Sequence, residues 1–274
     1  MTAHELMIKT NHYLIKDIKG GELTDAQKAN IVRQLLAARS GEREKQSFYK
    51  GVKYENNTDK NGDVTGTYPA YYIPPYNNGK KLQTIIPMSP KTHILSSNAY
   101  ELDIIRLLHL FAPDNPNVKE MVQGTLKRLK TACFANDCIV GECFHTSLPA
   151  LRFIGTAVPE DAVWVTKLVD KISGNLPGKL SGKNRVNGNV QWYYYLCLSE
   201  LPYNTAEAEL IRYKDILYQR LNKSAVMNSE NDKIHHPVLF CVLRNCLRRL
   251  PEYAYIKDRQ PYVSGKDGRL YFDL

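Results

Sequence analysis

The stretch Asn98-Ala99-Tyr100-Glu101-Leu102-Asp103-Ile104-Ile105-Arg106-Leu107-Leu108-His109-Leu110-Phe111, with the turn Ala112-Pro113-Asp114-Asn115-Pro116 behind it, sets the expectation for the whole chain. Ile104, Leu107, Leu108 and Phe111 recur at i, i+3, i+4 and i+7, the spacing that puts apolar side chains on one helix face. Asn98 and Glu101 form a capping pattern ahead of them. Beyond the turn, Val118, Val122, Leu126 and Leu129 supply a second apolar stripe, so the segment predicts two helices joined as a hairpin.

The same grammar returns three times. Ala150–Ile154 leads through Pro159-Glu160-Asp161 to Val165, Leu168, Val169 and Ile172. Tyr194, Cys197, Leu198 and Leu201 lead through Pro202 to Leu210, Tyr213, Leu217 and Leu221. Leu239, Val242, Leu243, Cys246 and Leu250 lead to Pro251-Glu252. The turn prolines 116, 159, 202 and 251 are 43, 43 and 49 residues apart. Proline stops one helix and suits the first turn of the next. A two-helix unit repeating every 40–47 residues or so resembles the HEAT and armadillo class of architecture, whose units bury their apolar faces by stacking. The expected fold is therefore mainly α: a helical-hairpin array or α/α superhelix.

Outward from the array, residues 1–50 read as a pair of helices. Met7, Leu14, Ile15 and Ile18 mark the first, and Thr24 with Gln27 forms a capping box for the second, whose stripe is Val32, Leu35 and Leu36. Residues 51–97 are punctuated by proline, Asn-Asn and Asn-Gly, which predicts a Tyr/Pro-rich irregular or small β segment, with Tyr71-Tyr72-Ile73 and Leu82–Ile86 as candidate strands. Residues 98–256 hold the array, interrupted by a Gly-rich basic loop over 173–190 and a polar connector over 227–237 that places His235-His236-Pro237 ahead of a helix. Residues 257–274 read as a C-terminal β-hairpin with Asp267-Gly268 at its turn.

The chain has 274 residues and 43% hydrophobic content, enough for a sizeable core. No apolar run approaches the ~18 residues of a membrane span, and neither a secretory signal nor a disulfide pattern is visible, so six free thiols and a cytoplasmic location are expected. The net charge is +9, but the middle third is balanced and no basic tail exists. Gly174, Gly178 and Lys179 fall one residue short of a phosphate loop and lack its hydroxyl; no other familiar catalytic or cofactor motif occurs, so no cofactor is expected.

Three readings of function follow. The first is a non-catalytic interaction or scaffold protein that presents a helical-repeat surface to a protein partner. Its test residues are Tyr71, Tyr72, Tyr76, Lys179 and Lys183, because tyrosine is apolar with a polar tip and suits interfaces. The second is a nucleic-acid-binding accessory protein that uses Lys127, Arg128, Lys130, Arg244, Arg248 and Arg249 against phosphates. The third is an α/α-barrel-like enzyme with a metal on Cys133, Cys138, Cys143 and His145. Zinc takes four soft or borderline ligands in a tetrahedron, and the C-x4-C-x4-C-x-H spacing bridges two expected helices. Cys241 and Cys246, five apart, project in different directions and read as core.

Overall fold

The structure, a computed structural model, describes residues 3–39, 70–71, 76–77, 80–81, 84–86, 88, 93–176 and 188–274. It is mainly helical, with a small antiparallel sheet at the C-terminus. The helices are α1 (Ala3–Ile18), α2 (Asp25–Ala37), α3 (His93–Phe111), α4 (Pro116–Thr131), α5 (Glu142–Ala157), α6 (Ala162–Asn175), α7 (Gly188–Glu200), α8 (Tyr203–Leu221) and α9 (Glu230–Leu247). Short 3-10 turns occupy Cys133–Ala135 and Pro251–Ile256. Strands β1 (Tyr76–Asn77) and β2 (Lys80–Lys81) pair antiparallel, as do β3 (Pro261–Val263) and β4 (Leu270–Phe272).

Local chemistry explains several helix starts. Thr24 and Gln27 close a reciprocal capping box on α2. The Asn115 side chain accepts from the N–H groups of Asn117 and Val118, with Pro116 at the first position of α4. Gly268, at a φ of +67°, turns the chain between β3 and β4, where Tyr262 faces Tyr271.

Four local expectations need correcting. α3 begins at His93, so Asn98 and Glu101 lie inside it, buried, and both side chains engage Arg128 of α4. The connector expected over 227–237 is mostly helix: Ser229 and Asp232 form a capping box and α9 starts at Glu230, with Pro237 inside it. Pro251 opens a 3-10 turn and not a second α-helix. Ile85 and Ile86 sit in a bend, buried, with the Thr84 hydroxyl donating to the Ile86 carbonyl across the turn.

Packing follows chain order. α3 lies against α5, α5 against α7 and α7 against α9, while α4, α6 and α8 each pack on the helix before them. α8 also lies on α9, and α2 on α3. α1 touches both α3 and α9. In α7 every side chain from Tyr193 to Leu198 is buried, as are residues 98–108 of α3 and 146–155 of α5, so these stretches give no polar face to solvent. No helix among the described residues is long and apolar enough to cross a membrane.

Candidate functional site

Two groupings of chemistry-bearing side chains stand out. The first is an ionic network between α1, α3, α5 and α7. Arg152, in the middle of the apolar run of α5, is 1% exposed. Its guanidinium grips Glu200 of α7 through Nε (2.5 Å) and Nη2 (2.8 Å), and reaches Asp103 of α3 through Nη1 (2.9 Å). Arg106, also of α3, pairs with Glu200 (3.1 Å), lies 4.0 Å from Asp17 of α1 and donates to Thr156 Oγ1 (2.9 Å). Three carboxyl groups thus face two guanidinium groups, and one carboxyl is short of a counter-charge. Burial raises Asp103 and Asp17 above the usual carboxylate range, against the pull of the arginines. Burial also acts on Glu200, but Arg106 and Arg152 outweigh it and hold that carboxyl below its usual range. The network spends its charges internally.

The second is a cluster of thiols where α4 gives way to α5. Cys133 lies in the 3-10 turn, Cys138 in the following loop and Cys143 in the first turn of α5; their sulfurs are all within 4.8 Å of one another. Cys133 and Cys143 are 3.7 Å apart at Sγ. Side chains anchor both ends of this loop. Asn136 Nδ2 donates to the carbonyls of Ala132 (2.8 Å), Lys130 (3.1 Å) and Leu129 (3.4 Å), closing the end of α4. Ser147 Oγ bridges the Phe134 and Cys143 carbonyls, and from α6 Lys171 Nζ and Trp164 Nε1 donate to the Phe134 and Ala135 carbonyls. Gly141 precedes α5 at a φ of +56°, a conformation that side chains with a Cβ resist, and there the chain turns back toward Cys143.

The three thiols are chemically unequal. The backbone N–H of Val140 is the main influence pulling the Cys138 thiol below its ordinary value, helped by hydrogen bonds from Cys143 and Cys133 and by the Lys171 ammonium. Desolvation pushes Cys143 the other way, to about 12, reinforced by its two neighbours. Burial pulls Lys171 below its usual range. His145 does not join the cluster, because two residues along a helix is roughly 200° of rotation from Cys143. Asp137 is mostly exposed and pairs with Lys167 at 3.2 Å.

The remaining sequence-derived candidates are dispersed. Tyr71 is fully buried and its hydroxyl donates to the Leu35 carbonyl at 2.9 Å, so its ring is fastened onto α2. Tyr76 is in β1; Tyr72, Lys179 and Lys183 lie outside the described residues. Of the basic set, Arg128 is buried against Glu101 and Asn98. Arg244 is buried and donates to the Arg259 carbonyl and Asn245, and Arg249 donates to the Leu198 and Leu201 carbonyls. Lys127, Lys130 and Arg248 are exposed. The six therefore do not form one basic surface.

Sequence reading missed the ionic network entirely. The signal was the interruption of apolar runs by charge at Asp103, Arg106 and Arg152. It also passed over a groove of about 630 Å³ between α2 and the α3–α4 turn, lined by the apolar Val32, Leu36, Phe111 and Ala112 and the polar or charged Asp25, Lys28, Arg33 and Asn115. Comparison of the chain with protein-family models, with curated proteins and with solved structures finds no match.

Proposed function

We propose that this chain is a non-catalytic interaction protein whose successive helical hairpins form an array that presents a surface to a protein partner. The groove beside α2 carries the reading. Its lining mixes apolar with charged and polar side chains, and its volume suits a few inserted side chains of a partner segment. The chain-order packing of α3, α5, α7 and α9, with α4, α6 and α8 each on the preceding helix, supports the array. The internal use of Arg128, Arg244 and Arg249 favours a protein partner over a nucleic acid, since those cations are engaged by carbonyls and side chains of the chain itself.

The test uses a photo-crosslinking residue at position 33, which lines the groove, in cells that make the protein. A protein adduct that disappears on Val32→Arg, with the fold intact by circular dichroism, supports the reading. In parallel, the anisotropy of labelled oligonucleotides is followed at about 50 and about 200 mM salt. Binding that weakens roughly 10³-fold or more over that range, with no protein adduct, overturns the reading in favour of nucleic acid.

A further inference from the structure

We propose that Cys133, Cys138 and Cys143 form a three-thiolate site for a thiophilic closed-shell cation of the zinc(II) class, with a fourth coordination position open to solvent. The geometry carries this independently of any partner. Zinc–sulfur bonds are about 2.3 Å, so two ligands on a tetrahedral ion lie about 3.8 Å apart. Cys133 and Cys143 are 3.7 Å apart, and Cys138 lies within 4.8 Å of both. A shift of less than about 1 Å by one side chain brings all three to bonding distance.

The frame is built before any ion arrives. Asn136, Ser147, Trp164 and Lys171 anchor the turn around the first ligand, the α4 terminus before it and the Cys143 carbonyl with seven hydrogen bonds. Preorganisation of this kind spares the ion the cost of ordering a loop. Three thiolates around a divalent cation leave one negative charge, and the Lys171 ammonium, held against the loop at the Phe134 carbonyl, is the nearby counter-charge. Asp137 is directed to Lys167 and His145 stands apart, so neither supplies a fourth ligand in this arrangement. Cys133 is exposed, which gives an ion a path in. Binding displaces up to three thiol protons to solvent, with no redox change at metal or sulfur.

The test is cobalt(II) titration of the full chain, reduced, metal-free and under inert gas. One equivalent should produce a thiolate-to-cobalt charge-transfer band and intense visible bands of a tetrahedral centre, and zinc(II) should bleach both. Cys133→Ser, Cys138→Ser and Cys143→Ser should each weaken cobalt binding about tenfold or more, whereas His145→Ala and Cys241→Ser should leave the spectrum unchanged. Circular dichroism on the same samples separates loss of a ligand from loss of fold. A folded, reduced wild-type chain without the charge-transfer band overturns the site, as does a band that survives in all three serine variants. Recovery of Cys133 and Cys143 as a disulfide in air, from protein that binds no cobalt when reduced, would make the cluster a dithiol and overturn the metal reading.

Discussion

Arg152 is held by both oxygens of Glu200 and by Asp103 in a space closed to water. Removing one partner from such a group leaves the others charged and buried, which costs far more than the net value of the pairs. Arg152→Met should destabilise the protein by about 3–5 kcal/mol in urea denaturation. Arg152→Lys should recover only part of it, since an ammonium cannot match the two-pronged contact with Glu200. A second effect at this scale concerns histidine. Burial, then the neighbouring His236, holds His235 below its ordinary 6.5, and burial does the same for His109. Below 6.5 the unfolded chain therefore takes up protons more readily than the folded one. Stability is complete above about 6.5 and declines as pH falls through the lower folded values. Melting temperatures recorded from about pH 7 to 5 should fall less steeply for the double variant His109→Gln, His235→Gln. The arginine was legible as an anomaly, a charge inside Ala150–Ile154; its partner Glu200 was not, because 48 residues separate them and only the packing of α5 on α7 brings them together.

At the scale of elements, the interface between α5 and α7 depends on one missing methyl. A Cβ on Gly155 would stand 2.2 Å from Leu201 Cδ2, in a place where Leu201 is itself buried. Gly155→Ala should cost about 1–3 kcal/mol by overpacking, and Leu201→Ala in the same chain should return part of that loss, giving a non-additive double-mutant cycle by thermal unfolding. Helix starts show where sequence pattern carries information and where it does not. Thr24-x-x-Gln27 reads as a capping box and is one. Ser229-x-x-Asp232 is equally readable, but the proline eight residues on masked the helix that it opens. Asn98-x-x-Glu101 has the same form, yet sits within a helix whose first turn lies further back, and its side chains turn to Arg128 instead of to backbone N–H groups. The thiol spacing was legible in the same limited sense. Three of the four residues meet; the imidazole misses because helical rotation after residue 142 carries it away.

Across the whole molecule, hydrophobic period and turn prolines gave a mainly helical chain and its hairpin at the end, because both are local. Contacts that join distant parts were hidden for the opposite reason. α1 is the clearest case: Leu14 is fully buried, Asp17 approaches Arg106 of α3, and Asn245 of α9 donates to the Ile18 carbonyl at 2.9 Å. Leu14→Ala should lower stability by about 2–5 kcal/mol. Because α1 touches both α3 and α9, the loss should appear as one shifted urea transition by both tryptophan fluorescence and far-ultraviolet circular dichroism, not as a separate early step.

The bond from Asn245 to Ile18 spans 227 residues. A ribosome adding about 5–20 residues per second needs roughly 11–45 s to make that length of chain. Over that interval the surface of α9 that covers part of α1 has yet to be synthesised. Leu6, Leu14 and Ile18 are then an apolar stripe without its full set of native neighbours, the kind of segment that holding chaperones recognise and that associates between neighbouring nascent chains on one message. α9, made long after α1, is thus among the first things that α1 needs.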